Sequence, residues 1–192
     1  MAQLLHDEFG WNAIDEVKAE NPYLANFYAD MPRWALHLQV YFLTKRFKSV
    51  QRAMWSENVV VQDRTIYEDA YVFVENLFHM HLIPKPDYDM YQELFQMLNA
   101  FVNPPQLLIY LKASVPSLVS HIRQRGNAYE VNISYEYLAM LNARYDEWID
   151  SYKNNIITVN VDDIDFVKNP QDREKVIRII QNHLPPSLFS IH

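Results

Sequence analysis

The sequence predicts an α/β fold, a three-layer αβα sandwich with helices on both faces of a parallel sheet, from three observations. Strand-like and helix-like segments alternate along the chain. One run, Val59-Val60-Val61, is β-branched without polar alternation, and an acid and a base, Asp63 and Arg64, follow it almost at once. Alternation favours parallel pairing because parallel strands need long crossovers, usually helical. An unbroken apolar run fits a strand covered on both faces. Ligands of open α/β sheets sit outside the carboxyl ends of the strands, so Asp63 and Arg64 stand where chemistry is placed. The alternative is an ion pair that only caps the helix beginning at Thr65.

Taken in order, the predicted elements are helix 2–9, strand 13–16, helices 22–31 and 33–55, strand 58–62, helices 66–81 and 88–101, strand 106–112, helices 116–125 and 134–152, strand 156–161 and helix 172–183. The strands are the short β-branched or aliphatic runs, and the helices are the longer segments with helical periodicity. Pro84-Lys85-Pro86 and Pro104-Pro105 separate elements rather than domains. In helix 33–55, Ala35, Gln39, Phe42 and Arg46 recur on one face, which puts an amide and a guanidinium two turns apart on the same side. Such an array suits the edge of a planar heterocycle. A solvated polar stripe is the other reading.

Composition narrows the function. At 192 residues with 49% apolar and 14% aromatic content, the chain reads as one globular domain, residues 1–192, which buries roughly 70% of its unfolded surface. A net charge of −7 argues against a nucleic-acid polymer or an anionic membrane as partner. Without cysteine there are no disulfides, thiolate nucleophiles or thiolate metal sites. No basic leader or membrane-length apolar run is present, so a cytoplasmic protein is expected. Gly10 and Gly126 are the sole glycines, which excludes a G-x-x-x-x-G-K-[ST] phosphate loop. His79-Met80-His81 reads as helix-end surface histidines, since imidazoles two residues apart point to different faces.

Several ordered segments together resemble the deoxynucleoside kinase family: Glu16-Val17 with Asn21-Pro22-Tyr23-Leu24 and Phe27-Tyr28; Arg33-Trp34 with Gln39 and Tyr41-Phe42-Leu43; Asp63-Arg64-Thr65-Ile66-Tyr67-Glu68-Asp69; Leu107 to Leu111; Gln124-Arg125-Gly126 with Tyr129-Glu130; Tyr137-Leu138 through Trp148; and Asp165-Phe166-Val167. The resemblance implies ATP-dependent phosphorylation of a deoxynucleoside at its 5′-hydroxyl, purine deoxynucleosides first and deoxycytidine next, in nucleotide salvage. It implies Glu16 as general base, Arg64 as donor to the reacting oxygens, and Asp63 as a holder of Mg²⁺. Tyr28 and Glu130 would grip the sugar 3′-hydroxyl, and Gln39, Arg46 and Asp69 would read the base, with Arg46 and Asp69 also paired to each other. Arg123 and Arg125 would close over the ATP phosphates, and Asp165 and Phe166 would lie by the adenine of ATP. A homodimer is implied as well.

Two departures accompany the resemblance. Asn127 stands where a further lid arginine is usual, so phosphate stabilisation from the lid should be weaker. The family also begins with a strand and a Gly-rich loop of the P-loop type, whereas Met1 to Leu5 reads as the interior of the helix after that loop. The expected consequence is a P-loop nucleoside-kinase fold whose central first strand is missing, leaving two unpaired sheet edges or forcing the flanking strands together. Without the loop's donors, the chain as it stands should not turn over. A start assigned too late is one explanation, favoured because the polar site residues persist. The other is a non-catalytic nucleoside-binding remnant or partner subunit of an intact kinase.

Overall fold

The computed structural model describes residues 1–14, 21–127, 130, 133–185 and 188. The chain opens with α1 (Ala2–Phe9), β1 (Asn12–Ile14), α2 (Leu24–Ala29), α3 (Met31–Met54) and β2 (Val60–Gln62). Next come α4 (Ile66–Glu68), a π-helical segment (Asp69–Val74) and α5 (Glu75–His79), which together make one continuous rod, then α6 (Lys85–Asn99). The remainder is β3 (Leu108–Lys112), α7 (Val115–Arg125), α8 (Tyr135–Ser151), β4 (Ile156–Asn160) and α9 (Pro170–Gln181).

Side chains set most of these boundaries. Asp30, Ser114, Ser134 and Asn169 cap α3, α7, α8 and α9 by accepting from an N-terminal N–H, which satisfies a donor with no partner inside the helix. Thr65 and Glu68 form a reciprocal capping box at the start of the rod. Asp63 and Arg64 are therefore not its cap. Gly10 and Gly126 end α1 and α7 in the left-handed conformation, with φ of 69° and 68°, where a Cβ would be strained.

The expected parallel pairing is present in two pieces. β1 runs parallel to β2, with Ile14 opposite Gln62, and β3 runs parallel to β4, with Leu108 opposite Ile156. Among the described residues β2 and β3 do not pair. Both line a cavity of about 990 Å³, through Val59 to Val61 and Leu107 to Leu111. Of the two outcomes expected at the centre of the sheet, the open edges are observed and closure is not. The valine run is accordingly half-buried instead of covered on both faces, because its free side looks into the cavity. Two apolar clusters flank this arrangement. One joins α3, the rod and α6 around Leu43, Ile66, Leu77 and Phe95; the other joins α1, β4 and α9 around Leu5, Val159, Val176 and Ile180. No described helix is long and apolar enough to cross a membrane.

Candidate active site

The polar face foreseen on α3 points inward. Gln39, Arg46 and Asp69 are 2%, 3% and 1% exposed, so the solvated-stripe reading does not hold. Arg46 Nη1 donates to Asp69 Oδ1 in a buried ion pair, and the Arg46 guanidinium also lies 4.6 Å from the Phe42 ring centroid. A buried guanidinium is tolerable only when paired in this way. Gln39 Oε1 and Asp69 Oδ2 are buried without a hydrogen-bond partner among the described residues, and both residues line the cavity. Two buried unpaired acceptors lining one cavity are costly unless a ligand with N–H donors completes them. Burial raises the Asp69 carboxyl to about 6, with Arg46 and then Arg64 pulling it back down.

The π-helical turn begins at Asp69 and carries Phe73. Such wide turns inside helices are frequent at functional sites. Here the segment brings both side chains to the cavity lining. The Arg64 guanidinium lies 4.7 Å from the Phe73 ring centroid, and Tyr145 meets that ring edge-on at 6.1 Å. Arg64 itself has φ of 64°. A left-handed, non-glycine residue at a strand end is strained by about 1–3 kcal/mol and is typical of functional positions. Its charge reaches Asp69, Tyr137 and Tyr145. Asp63 is exposed at the same strand end and also lines the cavity.

At the end of α7, Glu130 is 7% exposed and receives three hydrogen bonds of 2.9 Å: Arg125 Nε and Asn127 Nδ2 to Oε2, and Arg125 Nη2 to Oε1. Tyr28, Arg125 and Glu130 all line the cavity. The cavity thus gathers Tyr28, Gln39, Asp63, Arg64, Asp69, Arg125 and Glu130, with Arg46 directly behind Asp69. Arg123, Asp165 and Phe166 are not brought to it. The Asp165 carboxylate accepts from Val167 N and Lys168 N, and Phe166 packs against the α1–α9 cluster. Glu16 lies outside the described residues. His79 is exposed and bonds Glu75 at 3.0 Å, in keeping with its reading as a helix-end surface residue.

For Mg²⁺, no group of three or more metal-ligating side chains exists among the described residues. Magnesium in phosphoryl-transfer sites commonly takes only one or two carboxylates, with substrate phosphates and waters for the rest. Asp63, a single exposed oxygen donor at the cavity, fits that sparse set. Phe73, Tyr137 and Tyr145 carry no assigned site role in the sequence, although Tyr137 opens one of the resembling segments. Their signal is aromatic spacing on helices, which packing alone also explains.

A family model described as deoxynucleoside kinase matches residues 1–185. A deoxyadenosine/deoxycytidine kinase of Bacillus subtilis (strain 168) is 31% identical over 180 residues, covering 92% of this chain and 83% of that protein. A deoxyguanosine kinase of the same organism is 28% identical over 181 residues, covering 92% and 86%. The solved structure of deoxyadenosine kinase from M. mycoides, with the products dCMP and a flexible dCDP bound, aligns with a TM-score of 0.81 at 26% identity, covering 93% of this chain and 90% of that one. A cavity holding an unsatisfied buried acceptor pair, reached from strand ends of a parallel α/β fold, agrees with these matches, and the chain belongs to the deoxynucleoside kinase family, transferases that phosphorylate nucleosides.

Proposed function

We propose that this chain, acting as one domain, phosphorylates deoxynucleosides bearing an exocyclic amine, deoxyadenosine before deoxycytidine, at the 5′-hydroxyl with ATP and Mg²⁺. The observation that carries the base preference is the pair of buried unpartnered acceptors, Gln39 Oε1 and Asp69 Oδ2. An amino group supplies the donors they lack. The B. subtilis relative whose name joins deoxyadenosine and deoxycytidine is consistent with this choice.

The sugar then extends toward Tyr28 and Glu130, whose roles are to hold the 3′-hydroxyl. Arg64 donates to the reacting oxygens at the cavity, where a preformed cation stabilises developing charge without reorganisation. Glu16 is assigned the general base. It stands two residues beyond Ile14 in sequence, as Arg64 does beyond Gln62, and those two strand positions are parallel partners. Asp63 would hold Mg²⁺, which supplies charge neutralisation on the transferred phosphoryl group. Arg123 and Arg125 are assigned to the ATP phosphates, and Asp165 and Phe166 to the ATP adenine. Of these four, Arg125 alone lines the cavity.

A homodimer and a cytoplasmic site of action complete the proposal. Exposed Met90 and Met97 share a face of α6 seven residues apart, and exposed Phe101 follows them, as an apolar subunit face would. The test is incubation of the protein, and of a form carrying a strand and a Gly-rich phosphate loop ahead of Met1, with labelled ATP, Mg²⁺ and deoxyadenosine, deoxyguanosine or deoxycytidine, alongside calorimetric titration of each nucleoside. Labelled monophosphate with deoxyadenosine foremost supports the reading. The absence of both binding and product with all three contradicts it.

A further inference from the structure

Glu130 is a buried carboxylate whose acceptor capacity is almost fully used. An ionised carboxylate offers about four lone-pair sites, and three are occupied: two on Oε2, by Arg125 Nε and Asn127 Nδ2, and one on Oε1, by Arg125 Nη2. About one site remains, on Oε1, which suits a single hydroxyl. The two holders differ in what else they can do. Arg125 is charged, 46% exposed and lines the cavity, so an anionic ligand competes for it. Asn127 is half-buried and neutral, and an amide gains little from an arriving phosphate.

Backbone geometry fixes Asn127 in this task. Gly126 turns the chain through the left-handed region directly before it. The Asn127 carbonyl then accepts from Glu130 N at 3.0 Å, so side chain and main chain both tie position 127 to position 130. We infer that Asn127 is a positioning residue for the sugar, fixing Glu130 Oε2 so that Oε1 faces the 3′-hydroxyl and keeping it there when Arg125 turns to phosphate. This rests on the assignment of Glu130 to the 3′-hydroxyl made above. It also gives the amide a role where the sequence predicted only a lost lid charge.

The test is calorimetric binding of deoxyadenosine and of 2′,3′-dideoxyadenosine, which lacks the 3′-hydroxyl, to the unmodified protein and to Asn127→Ala, Asn127→Asp and Glu130→Gln. Asn127→Ala should weaken deoxyadenosine about tenfold, the scale of one hydrogen bond to a charged group. Asn127→Asp should weaken it further through like-charge repulsion. Neither should change dideoxyadenosine affinity more than about twofold, and that retained binding shows the fold is intact. Equal weakening of both nucleosides, or no weakening of deoxyadenosine in the Asn127 variants while Glu130→Gln loses it, overturns the inference. Failure of Glu130→Gln to discriminate the two nucleosides, or absence of binding to the unmodified protein, instead overturns the sugar assignment beneath it and takes the inference with it.

Discussion

The ends of this molecule proposed for the base and for the phosphates are built in opposite ways. Gln39, Arg46 and Asp69 sit on long packed helical elements and are almost fully buried, and Arg46 and Asp69 are already paired before any ligand arrives. Arg123 and Arg125 project from the exposed last turn of α7, and Asp165 is occupied with its own turn. The proposed base site is thus preorganised, whereas the groups assigned to ATP would gather only with rearrangement. Preorganisation lowers the cost of binding, and mobile groups that close late are common where water must be excluded from phosphoryl transfer. The cost of the arrangement also differs. The base end stores unsatisfied acceptors in the folded protein, while at the phosphate end Arg123 is exposed and Arg125 is held by Glu130.

The sharpest way to break this contrast is to remove one partner of the buried pair. Asp69→Ala takes the buried carboxylate away from the Arg46 guanidinium, and should destabilise the fold by about 3–5 kcal/mol, read from denaturant or thermal unfolding. Arg123→Ala, at an exposed position, should change stability by no more than about 0.5 kcal/mol. Comparable effects at the two positions would erase the difference between the ends.

Acidity probes the same contrast at smaller scale. Burial raises Asp69 from 3.8 to about 6, so in the folded state it holds a proton that the unfolded chain releases. The stability contributed by the neutral form is therefore present below 3.8 and lost as pH rises from there through about 6. Base affinity runs the other way, because the ionised carboxylate is the better acceptor. Titrating deoxyadenosine from pH 8 to pH 5 should show affinity falling below about pH 6, by up to tenfold per unit. Arg46, Arg64, Glu68, Tyr91 and Tyr145 are the charged or titratable groups that act on Asp69 or feel its charge. The Arg46→Met variant should move that pH step upward, because Arg46 is the main group holding the Asp69 carboxyl down against burial. A flat profile in the unmodified protein would contradict Asp69 as a base contact.

A smaller stability difference than at Asp69 is expected at Arg64, where φ is 64°. Arg64→Gly relieves backbone strain and should unfold later than Arg64→Ala by about 1 kcal/mol, while both abolish turnover. Equal stability of the two variants would show that the left-handed backbone stores no strain.

How much of this was legible in the sequence varies with the kind of physics involved. The order and type of elements follow from hydrophobic period and capping residues, and α1, α3, α7 and α8 fall within a few residues of their predicted limits. The inward face of α3 was visible as spacing, but its burial was not, since Gln39 and Arg46 are polar and only packing against the rod hides them. The π-helical turn at Asp69 has no periodic signature short enough to read, because a single extra residue shifts the face without changing composition. Position 127 illustrates the same limit. Sequence shows the missing guanidinium, whereas the hydrogen bond that the amide makes instead depends on a turn around Gly126.

The central claim is that the α3 face and the π-helical turn form a ready-made seat for an amino-bearing base. A crystal structure of the protein with deoxyadenosine tests it most directly. The predicted result places the exocyclic amine within hydrogen-bond distance of Gln39 Oε1 or Asp69 Oδ2, with the Arg46–Asp69 pair unmoved. A nucleoside bound elsewhere, or a base whose amine faces away from both oxygens, would contradict it.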